Sequence, residues 1–184
     1  QLGYSVASID DLIGEPLDNR AARRPIRVVR LLTDDDHRFI RAGGRALLLA
    51  ERTDALGAGF ADFPRIALEP WDEALHDGGR WVSAFPWLAR RGVFADLPGG
   101  PMFDLVFDGL QPNVVITGIP PARFQHAVHA GVFVGWIHQV AALVADHDVG
   151  LGRLLISTLT LAADEPGTDP AATWLLHRLI VAAG

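Results

Sequence analysis

Val140-Ala141-Ala142-Leu143-Val144-Ala145, then Val149-Gly150-Leu151-Gly152, then Leu154-Leu155-Ile156-Ser157-Thr158-Leu159 is the stretch on which the fold turns. Two apolar runs of strand length flank a turn rich in glycine. The polar loop Asp164-Glu165-Pro166-Gly167-Thr168 follows and ends at Asp169-Pro170, a capping residue with proline at the first helical position. Beyond it Ala171, Trp174, Leu175, Leu179 and Ala182 recur at helical spacing. Residues 140 to 182 therefore read as the closing unit of an open α/β sheet, two strands and a helix folding back onto them. That is an architecture and contains no complete catalytic motif.

Working back from this unit, Ile26 to Leu32 reads as a strand, and Thr33 caps a helix whose first turn holds Asp34, Asp35 and Asp36. Gly43-Gly44 ends that helix, and Arg45 to Ala50 forms a third strand, apolar on both faces as central parallel strands are. Strand, helix and strand make a βαβ unit with a right-handed crossover. Tyr4 to Ile9 alternates like a strand, and residues 14 to 25 read as a loop. The middle, about 51 to 125, is rich in proline, glycine and aromatic side chains, and reads as a long insertion. Within it Trp81–Phe85 and Asn113–Thr117 are expected strands, and Phe103–Leu110 a short helix. Val132–Ile137 should pair with 140–147. The expected fold is one α/β domain over residues 1–184, three layers around a mostly parallel sheet.

Composition narrows the chemistry. The chain has 184 residues, 49% hydrophobic and 21% charged, with a formal charge of −6. Such a balance describes a packed domain and argues against a nucleic-acid partner, which would call for a basic face. No apolar run reaches the roughly 18 residues of a membrane-spanning helix. Cysteine is absent, and all 16 basic residues other than histidine are arginine. Disulfides, thiolate zinc sites, cysteine nucleophiles, lysine Schiff bases and the P-loop are thereby excluded. Gln1-Leu2-Gly3-Tyr4 supplies neither an initiator Met nor a signal-like start, so a piece of a longer polypeptide is expected, with any export signal elsewhere.

Four patches carry a likeness: Gly79-Arg80-Trp81-Val82-Ser83-Ala84-Phe85-Pro86-Trp87, Leu97-Pro98-Gly99-Gly100-Pro101, His129-Ala130-Gly131-Val132-Phe133-Val134-Gly135-Trp136-Ile137-His138 and Gly150-Leu151-Gly152-Arg153. Together they resemble an accessory region towards the C-terminal end of some bacterial glycoside hydrolase family 2 proteins, the sugar-binding-domain β-glycosidases. The likeness spans about residues 26 to 184. It implies a glutamine-amidotransferase-like, flavodoxin-like scaffold. The hydrolytic carboxylate pair of that family lies on a separate (β/α)₈ barrel, too large to fit here, so no catalytic residue is carried over. The amidotransferase nucleophile is a cysteine, which this chain lacks. The resemblance thus implies a non-catalytic domain without cofactor or metal, in a bacterial carbohydrate-metabolism protein. Its partners would be the remaining domains of the parent polypeptide, a carbohydrate or a second copy.

Several residues invite a sharper reading. His126 and His129, three apart, would share a helical face, and His138 or Asp104 could complete a metal site; two histidines without a flanking acid pattern favour an ordinary structural role. Gly3-Tyr4-Ser5-Val6-Ala7 echoes a nucleophile elbow but lacks its last glycine. Ser157 and Thr158 end a strand where open α/β sheets bind ligands, yet no His or acid is assignable to them. Trp71, Trp81, Phe85, Trp87 and Trp136 suit either sugar stacking or packing of loops and interfaces, the second being favoured. Trp71, Trp81, Trp87 and Phe94 are the expected members of an exposed apolar patch. The arginines at 20, 23, 24, 27 and 30 read as contacts to solvent or a neighbouring domain. The rival to an accessory domain is a stand-alone hydrolytic or ligand-binding domain working at the C-terminal edge of the sheet.

Overall fold

The computed structural model describes residues 26–58, 66–71, 84–97, 100–103, 105–135, 139–161 and 169–184. The expected strand at Tyr4–Ile9, the loop 14–25 and the elbow at Ser5 lie outside these. The chain opens with β1 (Ile26–Val29), α1 (Asp34–Arg41) and β2 (Arg45–Leu49). Thr33 Oγ1 accepts from the Asp36 amide at 3.3 Å while Asp36 Oδ2 accepts from the Thr33 amide at 3.0 Å, closing a capping box. Arg27 on β1 reaches over to Asp35 (2.8 Å) and Asp36 (2.9 Å) and stacks on Phe39. The helix is thus held at its positive end by its own aspartates and tied to the strand before it.

β3 (Ala67–Pro70), β4 (Ala84–Leu88), β5 (Val114–Thr117), α2 (Pro121–Ala127), β6 (Val128–Val134), β7 (Gln139–Val149), β8 (Gly152–Ser157) and α3 (Pro170–Ala183) follow, with 3₁₀ turns at Gly92–Phe94 and Leu105–Leu110. Asp169 caps α3 by accepting from the amides of Ala171 and Ala172. The segment Trp81–Phe85 begins its described pairing only at Ala84 and continues to Leu88.

The sheet is mixed, which corrects the mostly parallel expectation. Among the described residues only β1–β2 and β2–β8 run parallel; β3–β5, β4–β6, β5–β7, β6–β7 and β7–β8 are antiparallel. For β7–β8 the link length dictates the direction. A parallel pair needs a crossover of a dozen or more residues, whereas Gly150-Leu151 alone joins β7 to β8. Gly150 takes φ +62°, as a primed hairpin turn requires at its first position. Gly152 is equally fixed, because a Cβ there would run into the carbonyl oxygens of Ile40 and Gly44.

β7 is the hub. Ala142 is in register with both Ile116 and Gly131, and Ala145 with both Ile156 and Val128. Hence β8 and β5 share one edge of β7 in succession, and β6 takes the other. Side chains alternate between two cores. Leu48, Leu154, Ile156, Ala142 and Ile116 pack with Ile40 of α1 and Phe124 of α2 on one face. Leu47, Leu49, Leu155 and Leu143 pack with Phe94 and with Leu175 and Leu179 of α3 on the other. Helices therefore cover both faces of the β2–β8 region, and the strands there are apolar through Ala46–Leu49 and Leu154–Ile156. The fold is a mixed α/β arrangement.

Candidate functional site

A largely buried polar cluster lies on the α3 face. Register shifts flank His129 in the β6–β7 ladder, a bulge that re-aims the side chain. His129 is only 8% exposed, and its Nε2 lies 2.7 Å from Asp146 Oδ2. Arg153 donates Nε to Asp146 Oδ1 at 2.7 Å and Nη2 to Oδ2 at 2.5 Å, a bidentate grip. Burial works to raise the Asp146 carboxyl, but the hydrogen bonds from His129 and Arg153 outweigh it and hold the group below the usual carboxylate range. His129 Nδ1 has no hydrogen-bond partner among the described residues, and Gly92, at φ +55°, packs against that edge of the ring.

A His–Asp pair is part of a nucleophile-activating triad. Here the free nitrogen meets the backbone of Gly92, not a hydroxyl. The cluster also sits at the amino ends of β6 and β8, opposite the strand edge where α/β sheets bind ligands. Its chemistry is that of a clamp tying β6, β7, β8 and the 92–94 turn together.

At the carboxyl ends, Ser157 closes β8 and is fully buried, its carbonyl accepting from the Ala50 amide at 2.7 Å. Its Oγ has no partner among the described residues. Thr158 donates Oγ1 to the Leu143 carbonyl at 3.2 Å. The structure adds a residue that sequence reading passed over. Glu51, two positions beyond β2, keeps one carboxylate oxygen, Oε1, shut off from solvent and without a partner among the described residues. The available signal was its place as the first charged residue after the apolar run Leu47–Ala50.

The histidine reading is corrected. His126 is exposed in the last turn of α2, which ends at Ala127, so His129 lies on a strand and the two share no helical face. His138 and Asp104 lie outside the described residues, among which no group of three or more potential ligands gathers. Arg27 is engaged by Asp35 and Asp36, Arg30 is exposed, and arginines 20, 23 and 24 lie outside the described residues.

Trp71 is half-buried against the α3-side core. Trp87 is half-buried on the other face, over Gly131 and with its ring centroid 6.2 Å from that of Phe124. Trp81 and Trp136 lie outside the described residues. Phe94, expected in an exposed patch, is fully buried, because the 92–94 turn tucks it beneath α3. Among the described residues a row of exposed apolar side chains lies elsewhere. Phe85, Phe133 and Val140 are in register across β4, β6 and β7 and are 49%, 38% and 50% exposed. Met102, bridged to Trp87, extends the patch.

No protein-family model matches the chain, and no curated protein matches it significantly. Several residues of the patches quoted above have packing roles in the structure: Trp87 covers Gly131, Arg153 and His129 share Asp146, and Gly150 and Gly152 shape one hairpin.

Proposed function

We propose that the chain is a non-catalytic accessory domain, packing through its β4–β6–β7 face against another domain of a longer polypeptide. The carrying observation is the cross-strand row Phe85–Phe133–Val140. Aligned apolar side chains on adjacent strands form one contiguous surface, the kind that marks interaction sites. Val140 and Phe133 lie on the face of α1 and α2 yet stay exposed, beside Trp87, which packs on Phe124 of α2. The four resembling patches favour a bacterial glycoside hydrolase as the parent, with interdomain packing, oligomerisation or cleft shaping as the role. A flavodoxin-like, amidotransferase-like scaffold draws support from the β1–α1–β2 unit and from helices on both faces. The five antiparallel pairings depart from an all-parallel arrangement.

The test is an assay of the chain against chromogenic β-galactosides, β-glucuronides and β-mannosides, alongside tryptophan fluorescence on adding the corresponding sugars. The reading expects neither turnover nor a spectral shift. Turnover abolished by replacing one of the chain's own Asp or Glu residues would overturn it, and a saturable shift would move the aromatic face from docking to sugar binding.

A further inference from the structure

We infer that His129 makes the turn at residues 91–97 an acid-opened latch, because a second proton on its ring has a place only where the closed turn offers no acceptor. The first proton is placed by Asp146. Burial acts to raise that carboxyl, yet the bonds from His129 and Arg153 keep it low and ionised. A carboxylate only accepts, so His129 Nε2 donates to Asp146 Oδ2 across their 2.7 Å. The neutral ring therefore carries a bare Nδ1, shut off from solvent and without a partner among the described residues.

The turn seals this nitrogen. A Cβ on Gly92 would stand 3.3 Å from both Nδ1 and Cε1, and Gly92 is itself exposed, so little more than one residue of chain separates the nitrogen from water. The Ala89 amide donates to the His129 carbonyl at 2.7 Å, and the Phe94 and Ala95 amides close the turn on the Arg91 and Gly92 carbonyls. Arg178 of α3 ties it from the other side, donating to the Val93 carbonyl and to Asp96.

The surrounding charges favour release. Among the described residues the carboxylates here are engaged, Asp146 of β7 by Arg153 of β8, Asp148 by Arg123 of α2, and Asp96 by Arg178. The turn itself adds two exposed cations, Arg90 and Arg91. A second positive charge on the ring would thus meet more like charge, and its new N–H would be buried without an acceptor. Such an orphan is costly, whereas in an opened turn the same N–H meets water. Acid therefore raises the population of the opened turn, which uncovers Val93 and Phe94, both buried when it is closed. The latch lies on the α3 face and does not rest on the docking reading.

The test is amide hydrogen exchange, corrected for intrinsic rates, between about pH 8 and pH 5, the span of ordinary imidazole titration. An opening that takes up one proton grows by up to about tenfold per pH unit. The Ala50 amide, bonded to the Ser157 carbonyl at the opposite end of the sheet, reports global stability. Protection of the Phe94 and Ala95 amides should fall about tenfold further than that of Ala50. In His129→Gln, whose amide keeps the bond to Asp146 but takes up no proton, this extra fall should vanish. Nitrogen-15 shifts of the wild-type ring at about pH 8 should place its proton on Nε2. A proton on Nδ1 at that pH, protection that falls no further than that of Ala50, or an equal fall in His129→Gln would each overturn the proposal.

Discussion

Asp146 on β7 and Arg153 on β8 grip each other through two parallel hydrogen bonds across a hairpin whose link is only Gly150-Leu151. His129 from β6 takes one of the same carboxylate oxygens, so a single carboxylate joins three strands. Asp146→Asn keeps the shape but gives up charge-assisted bonds, and should destabilise by about 2–3 kcal/mol in urea melts. The carboxyl is depressed in the folded chain, so its stabilisation is complete above the unfolded value near ~4 and is lost as pH falls through the folded one. Wild-type stability should therefore drop steeply below about pH 4, and the drop should be shallower in Asp146→Asn. Equal pH slopes would deny the carboxylate this role.

His147, next along β7, also costs stability as pH falls, but from a different cause and in a higher pH range. Burial lowers it, the Arg123 charge adds to this, and Asp148 opposes both. The unfolded chain then takes up its proton first as pH falls below about 6.5, and the folded state loses ground until its own lower value is passed. His147→Gln should flatten the stability profile between about pH 7 and 5. Denaturant midpoints at half-unit pH steps would check this.

Ile156 is fully buried on the α1 face, in register with Leu48 and Ala145, whereas Leu155 is fully buried on the α3 face. Ile156→Ala should cost roughly 2–5 kcal/mol. A loss under about 0.5 kcal/mol would be the behaviour of an exposed position and would contradict a sheet covered on both faces.

Gly131 has no room for a side chain. A Cβ there would stand 2.8 Å from Trp87 Cζ2 and 2.9 Å from the Ala141 carbonyl oxygen. Gly131→Ala should cost about 1–3 kcal/mol and shift tryptophan emission as the indole is displaced. Unchanged emission and stability would show that this face tolerates rearrangement.

Local signals were legible where one residue decides the geometry. Thr33 and Asp169 announced their helices, and the apolar runs at Ile26, Arg45 and Leu154 announced three adjacent strands. Strand polarity was misread because the all-apolar run Leu47–Ala50 does mark a parallel strand, yet its polarity holds for its own neighbours only. The two-residue link at Gly150 already dictated that β7 runs against β8. Other features depended on register. A bulge turns His129 towards Asp146, and no spacing in the sequence reveals a bulge. Phe85, Phe133 and Val140 come from three separated segments, and only the ladder aligns them.

The central claim, docking through that aligned row, is tested most directly by sedimentation velocity. The wild-type chain should associate weakly in a concentration-dependent way, because a contiguous apolar patch seeks cover. Phe85→Ser with Phe133→Ser should abolish the association while circular dichroism stays native, since both side chains already face solvent. A wild-type chain that sediments as a single monomeric species at every concentration, indistinguishable from the double variant, would contradict the account.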